Sequence, residues 1–325
     1  ICPDASVRGF SIFNGDGTAG TIRRAADALQ PGDIMLIELH RPGPRATGAG
    51  QFGFIAIEWW PDDYAALRYA TNKGIIVVEA AGNGSQNLDD PIYDERPAGF
   101  PATWSNPFNP ANPSSMTVVA GAGAPPPGTH GRDHGPDRSR LGFSNYGARV
   151  DAQGWGREVT TAGYGDLQGG SDEDLWYTDR FSGTSSASPI VVGALACVQG
   201  VLRAQGGNLM TPADAIQALR ATGSPQQDAP GRPLTQRIGN RPDLRQLIPQ
   251  VAKLWHYNQT ISSTYVLHST QAAWAHIDGL GWRRIKPGAP DGVSNMLNTC
   301  CAALGNNRKV HVFVDNTFLY RMYLV

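Results

Sequence analysis

Apolar residues along this chain follow two spacings. Ile34-Met35-Leu36-Ile37 and Ile75-Ile76-Val77-Val78 are continuous runs of strand length, which predicts strands covered on both faces. Stretches of helical spacing stand around them. Thr21 to Leu29 places Ile22, Ala25, Ala26 and Leu29 on one face. Trp60 to Lys73 has Pro61 at its start and Asp62 and Asp63 in its first turn, where acid complements the helix dipole. Val7 to Phe13 and Met116 to Gly121 read as further strands, and Asn14-Gly15-Asp16-Gly17 and Pro31-Gly32-Asp33 as breaks. Strand, helix, strand with short connections predicts an α/β fold: a mostly parallel sheet, right-handed crossovers and helices on both faces. Sites in such sheets gather beyond the carboxyl ends of the strands. His40-Arg41 and Ala81-Gly82-Asn83 fall at such ends.

The pattern continues with a helix, apolar nearly all round, from Ser185 to about Ala204, which reads as a core helix. Another follows Thr211, with Thr211 and Asp214 as a capping box. Residues 84–115, 124–140 and 163–179 read as loops. The first is acidic and can offer oxygens to a structural calcium, but its spacing fits no calcium-loop motif and a solvated loop is the simpler reading. The second holds His130, Asp133, His134 and Asp137, and an exposed insertion outweighs a metal site there. Near Val251 the character changes. Short alternating runs carry Trp255, Trp274 and Trp282, a helix covers Val293 to Leu304, and Val310–Val314 and Thr317–Leu324 flank a hairpin turn at Asp315-Asn316. Residues 1–250 form one domain and 251–325 a small α+β module. Its tryptophans read as core in preference to a binding face.

Composition narrows the function. Charged residues make up 17% of the 325 and the formal net charge is −1, with no polybasic run, so nucleic acid is not an expected partner. No uninterrupted apolar run reaches about 18 residues, so no membrane span is expected. The four cysteines, Cys2, Cys197, Cys300 and Cys301, contain no Cys-x-x-Cys pair, which speaks against zinc.

Chemistry concentrates at Phe181-Ser182-Gly183-Thr184-Ser185-Ser186-Ala187-Ser188-Pro189. Gly183 permits a tight turn, small residues keep the approach to Ser185 open, and Pro189 is expected in the first helical turn. The helix start supplies unpaired N–H groups and partial positive charge beside the hydroxyl. Those donors suit an oxyanion, so Ser185 reads as the nucleophile of an acyl transfer.

Gly183 to Pro189 resembles the nucleophile motif of the subtilisin-like serine proteases. Val77-Val78-Glu79-Ala80-Ala81-Gly82-Asn83-Gly84 is similar to the family's strand end with its oxyanion-hole asparagine, and Phe143-Ser144-Asn145-Tyr146-Gly147 to the strand entry ahead of the nucleophile. The resemblance spans about residues 1–248. It implies a secreted serine endopeptidase acting on polypeptides, with Ser185 as nucleophile and Asn83 as side-chain oxyanion donor. It also implies that His40, Arg41, Pro42 and Gly43 meet the substrate backbone beside Thr184. Ala80, Ala81 and Gly82 would line a primary pocket with room for a medium or large side chain. Relatives carry small residues where His40, Arg41 and Pro42 stand, and a cationic pair there would favour acidic side chains.

The family's catalytic aspartate and His-Gly-Thr histidine are missing from these residues. Ile1-Cys2-Pro3-Asp4-Ala5 resembles the segment that follows the histidine helix. Three explanations follow: an N-terminal fragment carrying Asp and His is separate, processed or lost; the chain is an inactive relative that binds peptides; or His40 substitutes as base. On the first, these residues alone are nearly inert, because a serine hydroxyl needs a positioned base.

Overall fold

The computed structural model describes residues 2–268 and 272–325. Ile1, which opens the segment compared with the histidine helix, lies outside them. The chain divides into two compact units, Ile1–Arg203 with Asn208–Leu247, and Ala204–Gly207 with Ile248–Val325.

In the first unit α1 (Gly17–Asp27) leads to β1 (Ile34–Ile37), β2 (His40–Pro42) and β3 (Phe54–Ala56), then α2 (Pro61–Asn72) and β4 (Ile76–Ala80). β5 (Val118–Gly123), β6 (Ala152–Trp155) and the hairpin of β7 (Val159–Ala162) and β8 (Tyr177–Phe181) precede α3 (Thr184–Ala204) and α4 (Pro212–Ala221). The main sheet is wholly parallel, in the order β1-β4-β5-β6. Ile22, Ala25 and Ala26 of α1 and Ala66, Leu67 and Ala70 of α2 pack with Val77 of β4. Ile76 and Val78, on the other face by strand alternation, are equally buried, so β4 is covered on both sides. Thr211 and Asp214 form the expected capping box of α4.

Several expectations need correction. Residues 7–13 form no strand: Val7 and Phe13 are 89% and 91% exposed, and an extended segment without a ladder partner has nothing to hold it. β1 is covered on one face only, with Leu36 exposed. α1 begins at Gly17, drawing in the end of the expected turn cluster. Pro189 is the sixth residue of α3, inside the helix, where its missing N–H leaves the Ser185 carbonyl without its helical donor. α3 is long and apolar enough to cross a membrane by length and composition, against the reading from runs alone. Most of it packs inside the fold, as a core helix does.

α5 (Leu244–Val251) leads into the second unit. There β9 (Leu254–Gln259), β10 (Ile261–Leu267), β11 (Ala272–Ile277) and β12 (Gly281–Ile285) are followed by α6 (Gly292–Gly305), β13 (Val310–Val314) and β14 (Phe318–Leu324). They make one sheet in the order β10-β11-β12-β14-β13-β9, antiparallel except for β12 with β14. Alternation sends Ala273, Ala275 and Ile277 into the core with Cys300 and Ala303 of α6. Trp274 and Trp282 therefore stand on the opposite face. Trp282 is 47% exposed and Trp255 and Trp274 half-buried, so the tryptophans are not the core that spacing suggested.

Candidate active site

Two chain segments 101 residues apart in sequence are locked together by one side chain. Asn83 follows the end of β4, and its Oδ1 accepts from the Thr184 backbone N–H (2.8 Å) and from Thr184 Oγ1 (2.9 Å). Thr184 Oγ1 in turn accepts from the Gly82 N–H at 3.1 Å. With Oδ1 turned to α3, Nδ2 is the amide's remaining end. It donates to Gln51 Oε1 at 3.1 Å, its one acceptor among the described residues, and an amide nitrogen carries two hydrogens. Gly183, at φ +112°, passes so close that a Cβ there would lie 3.1 Å from Asn83 Nδ2 and 3.5 Å from the Ser185 nitrogen. No other residue type fits both that φ and that approach. Ser185 is the second residue of α3, so its N–H has no helical acceptor. Its hydroxyl is half-buried and donates to the Glu38 carbonyl at 3.2 Å. The serine and the asparagine amide thus share one corner of the fold.

The strand end is held from behind by Asn145. Its Nδ2 donates to the carbonyls of Ala81 (2.7 Å) and Phe54 (2.8 Å), and its Oδ1 accepts from the Gln86 N–H (2.7 Å). The run Phe143 to Gly147 is therefore a buried tether beside the site, and the next strand starts only at Ala152. Deeper in the same strand, Glu79 is fully buried against Glu58. Burial, with the neighbouring carboxylate, pushes its carboxyl up to about 8. Thr117 Oγ1 donates to it at 2.5 Å. Arg149, buried too, pairs with Glu58 (2.6 Å) and Asp151 (2.8 Å).

The segment expected to meet substrate is arranged differently from the expectation. His40 Nδ1 accepts the Asn83 backbone N–H at 3.1 Å, which puts the ring proton on Nε2. Burial holds this histidine below its usual range, so it stays neutral. Arg41 is spent inside the fold: its guanidinium lies 2.6 Å from buried Asp63, 3.3 Å from Asp62 and 4.3 Å over the Trp60 ring. A charge so neutralised gives no pull on acidic substrate side chains. One edge of His40–Pro42 is taken by β3, in the register His40 with Ala56 and Pro42 with Phe54, and the Gly43 N–H donates to Gly53. That insertion also fills the place assigned to a primary pocket. Ala80 and Ala81 are fully buried, and a Cβ on Gly82 would meet the Phe54 carbonyl at 2.8 Å. The open depression nearby, about 450 Å³, is lined instead by Pro42, Gly43, Pro44, Trp59, Trp60 and Pro97.

No group of three His, Cys, Asp or Glu placed for a metal is found among the described residues. In the acidic loop Asp90 pairs with Arg45 (2.6 Å), Asp94 accepts from Asn106 (2.9 Å), and Asp89 takes the Ala148 N–H (2.9 Å). These carboxylates answer the chain's own donors. His134 meets Glu158 at 2.7 Å with Arg132 on the same carboxylate, so a guanidinium occupies the place a cation would take. Gln51 and Asn145 are the contributors that residue-by-residue reading gave no role. Nothing in the sequence marks Gln51, whereas Asn145 belongs to the run Phe143 to Gly147.

A parallel α/β unit that sets a serine at a helix start beside an asparagine amide at a strand end defines a class of hydrolase-like folds. A family model described as the subtilase family matches residues 52–242, more than half the chain, and the chain belongs to that family, the subtilisin-like serine proteases. Subtilisin-like protease 6 of Trichophyton soudanense is 28% identical over 214 residues, covering 60% of this chain and 45% of that protein. Its namesake from Trichophyton schoenleinii is 34% identical over 142 residues, covering 44% and 25%. The chain spans less than half the length of these relatives. A solved structure described as a lanthipeptide protease aligns with TM-score 0.50 at 17% identity, covering 76% of this chain and 70% of that one, which shows the fold.

Proposed function

We propose that this chain forms the nucleophile and oxyanion half of a serine endopeptidase. Ser185 Oγ attacks the scissile carbonyl, and its proton passes to a histidine on a segment outside these 325 residues, oriented there by an aspartate. The tetrahedral oxyanion is received by the Ser185 N–H and the second Nδ2 hydrogen of Asn83. The C–N bond then breaks, the amine leaves with the proton, and water releases the acyl group from Ser185. The observation that carries this reading is the Asn83–Thr184 lock, which sets the amide and the serine side by side. In this reading His40 does not serve as the base; its Nδ1 accepting the Asn83 N–H supports that.

A second reading is an inactive relative that binds peptides or a protein partner, favoured by the Ser185 hydroxyl being engaged by the Glu38 carbonyl. A fluorophosphonate probe separates the two. The chain extended by its natural upstream sequence should be labelled, and Ser185→Ala should abolish the labelling. Absence of labelling in every form would leave the binding module.

A further inference from the structure

The sheet of the second unit has two unlike faces. One buries Ile261, Ala273, Ala275, Ile285, Val312 and Leu319, in one core with α6. On the other, Tyr265 of β10 stacks by Trp274 of β11 at 5.4 Å, and Arg284 of β12 lies 5.6 Å over the Trp274 ring. Trp282 meets His276 at 5.3 Å. Phe318 of β14, paired with Arg284, carries Lys286 over its ring at 4.2 Å. Beyond it Phe313 of β13 packs 5.2 Å from Trp255 of β9 and has Arg321 over its ring at 5.9 Å. Rings therefore stand on all six strands, a width of about 24 Å at the usual strand spacing, with Arg284 of β12, Lys286 just past its end and Arg321 of β14 set over them. Tyr257, Tyr265, Trp282 and Tyr323 are each about half exposed.

The charge is as one-sided as the rings. Residues 248–325 hold seven Lys and Arg against three Asp and no Glu, so the whole-chain charge of −1 averages two parts of opposite sign. None of the six strands contains a carboxylate. Of the turn aspartates, Asp315 is spent on the Thr317 and Phe318 N–H groups and the Tyr320 hydroxyl. Asp278 sits 3.9 Å from His276. An exposed aromatic face of this extent marks an interaction surface. Interleaved guanidinium groups restrict the partner to one that offers flat rings and regularly spaced anions together.

We infer that this face binds single-stranded nucleic acid. Bases stack on Tyr265, Trp274 and Trp282, and phosphates pair with Arg284, Arg321 and Lys286. An acidic polysaccharide would satisfy the cations, but its hydroxyls call for side-chain acceptors, and the strands offer no carboxylate. The inference does not depend on the chemistry of Ser185.

Fluorescence anisotropy with the full chain and a labelled oligothymidylate of about 12 nucleotides tests it. Binding should weaken steeply with salt. Trp274→Ala should bind about tenfold more weakly, while Trp274→Phe, which keeps a ring and controls for folding, should stay close to wild type. Arg284→Gln should reduce the slope of log K against log salt by about 0.7. The inference is overturned if oligothymidylate does not bind, if Trp274→Ala binds as wild type does, or if polygalacturonate binds more tightly than the oligonucleotide.

Discussion

The corner around Ser185 and the outer face of the second sheet use polar chemistry in opposite ways. Around Ser185 nearly every polar group is already answered by another part of the same unit. Asn83 is held by Thr184 and Gln51, His40 by Asn83, Arg41 by Asp62 and Asp63, and Asn145 by three backbone groups. On the second sheet the guanidinium groups lie over rings, and no strand supplies a carboxylate to pair with them. A preorganised site gains from the first arrangement, because donors fixed before reaction cost no reorganisation during it. A surface that must accept a long partner gains from the second.

The contrast breaks most readily at Asn83. Asn83→Ala removes one oxyanion donor and also releases Thr184. In the completed enzyme kcat should fall about 100- to 1,000-fold, a loss of roughly 3–4 kcal/mol of transition-state stabilisation, with KM little changed. Steady-state hydrolysis of a peptide substrate measures it. A change confined to KM would mean that Asn83 only positions substrate and that its preorganisation has no catalytic use.

Next in size is the tether behind the site. Asn145→Ala would strand the buried Ala81 carbonyl and Gln86 N–H, and the part-buried Phe54 carbonyl, without the partner that Asn145 supplies. Each lost partner carries a desolvation penalty of about 1–3 kcal/mol, so the variant should be destabilised by about 3 kcal/mol or more. Urea unfolding reads this directly. A loss under about 1 kcal/mol would show that water re-enters and that the locked description is too strong.

How much of this was legible in the sequence depends on the sequence distance of the partners. β4 and the helix after Ser185 could be read from spacing alone, since continuous apolar runs and a glycine-threonine-serine turn are local facts. The role of Gln51 was not, because its partner stands 32 residues away and glutamine has no positional signature. His40 reads as a base only while its partner is unknown, since a ring nitrogen that receives a buried N–H cannot also receive a proton from Ser185. β3 was missed because Phe54-Ile55-Ala56 is too short to show a period, yet it fills the space a primary pocket would need. The tryptophans of the second unit were misread for a related reason. Alternation gives two faces but not which of them is covered, and α6 chose the face with the alanines.

A pH-dependent effect concerns charge held inside, the counterpart of charge displayed outside. Glu79 keeps its proton up to about 8 in the fold, whereas an unfolded glutamate ionises at 4.5. Between those values the unfolded chain has released a proton that the folded chain retains, so folding becomes less favourable as pH rises through that window and levels off above it. The Tm of the wild-type chain should therefore decline from about pH 5 to about pH 8 more steeply than that of Glu79→Gln, whose amide does not ionise. Thermal unfolding of both proteins across that range tests the point. Parallel curves would mean that Arg149, which pairs with Glu58 and Asp151 beside it, already stabilises Glu79 as an anion in the fold.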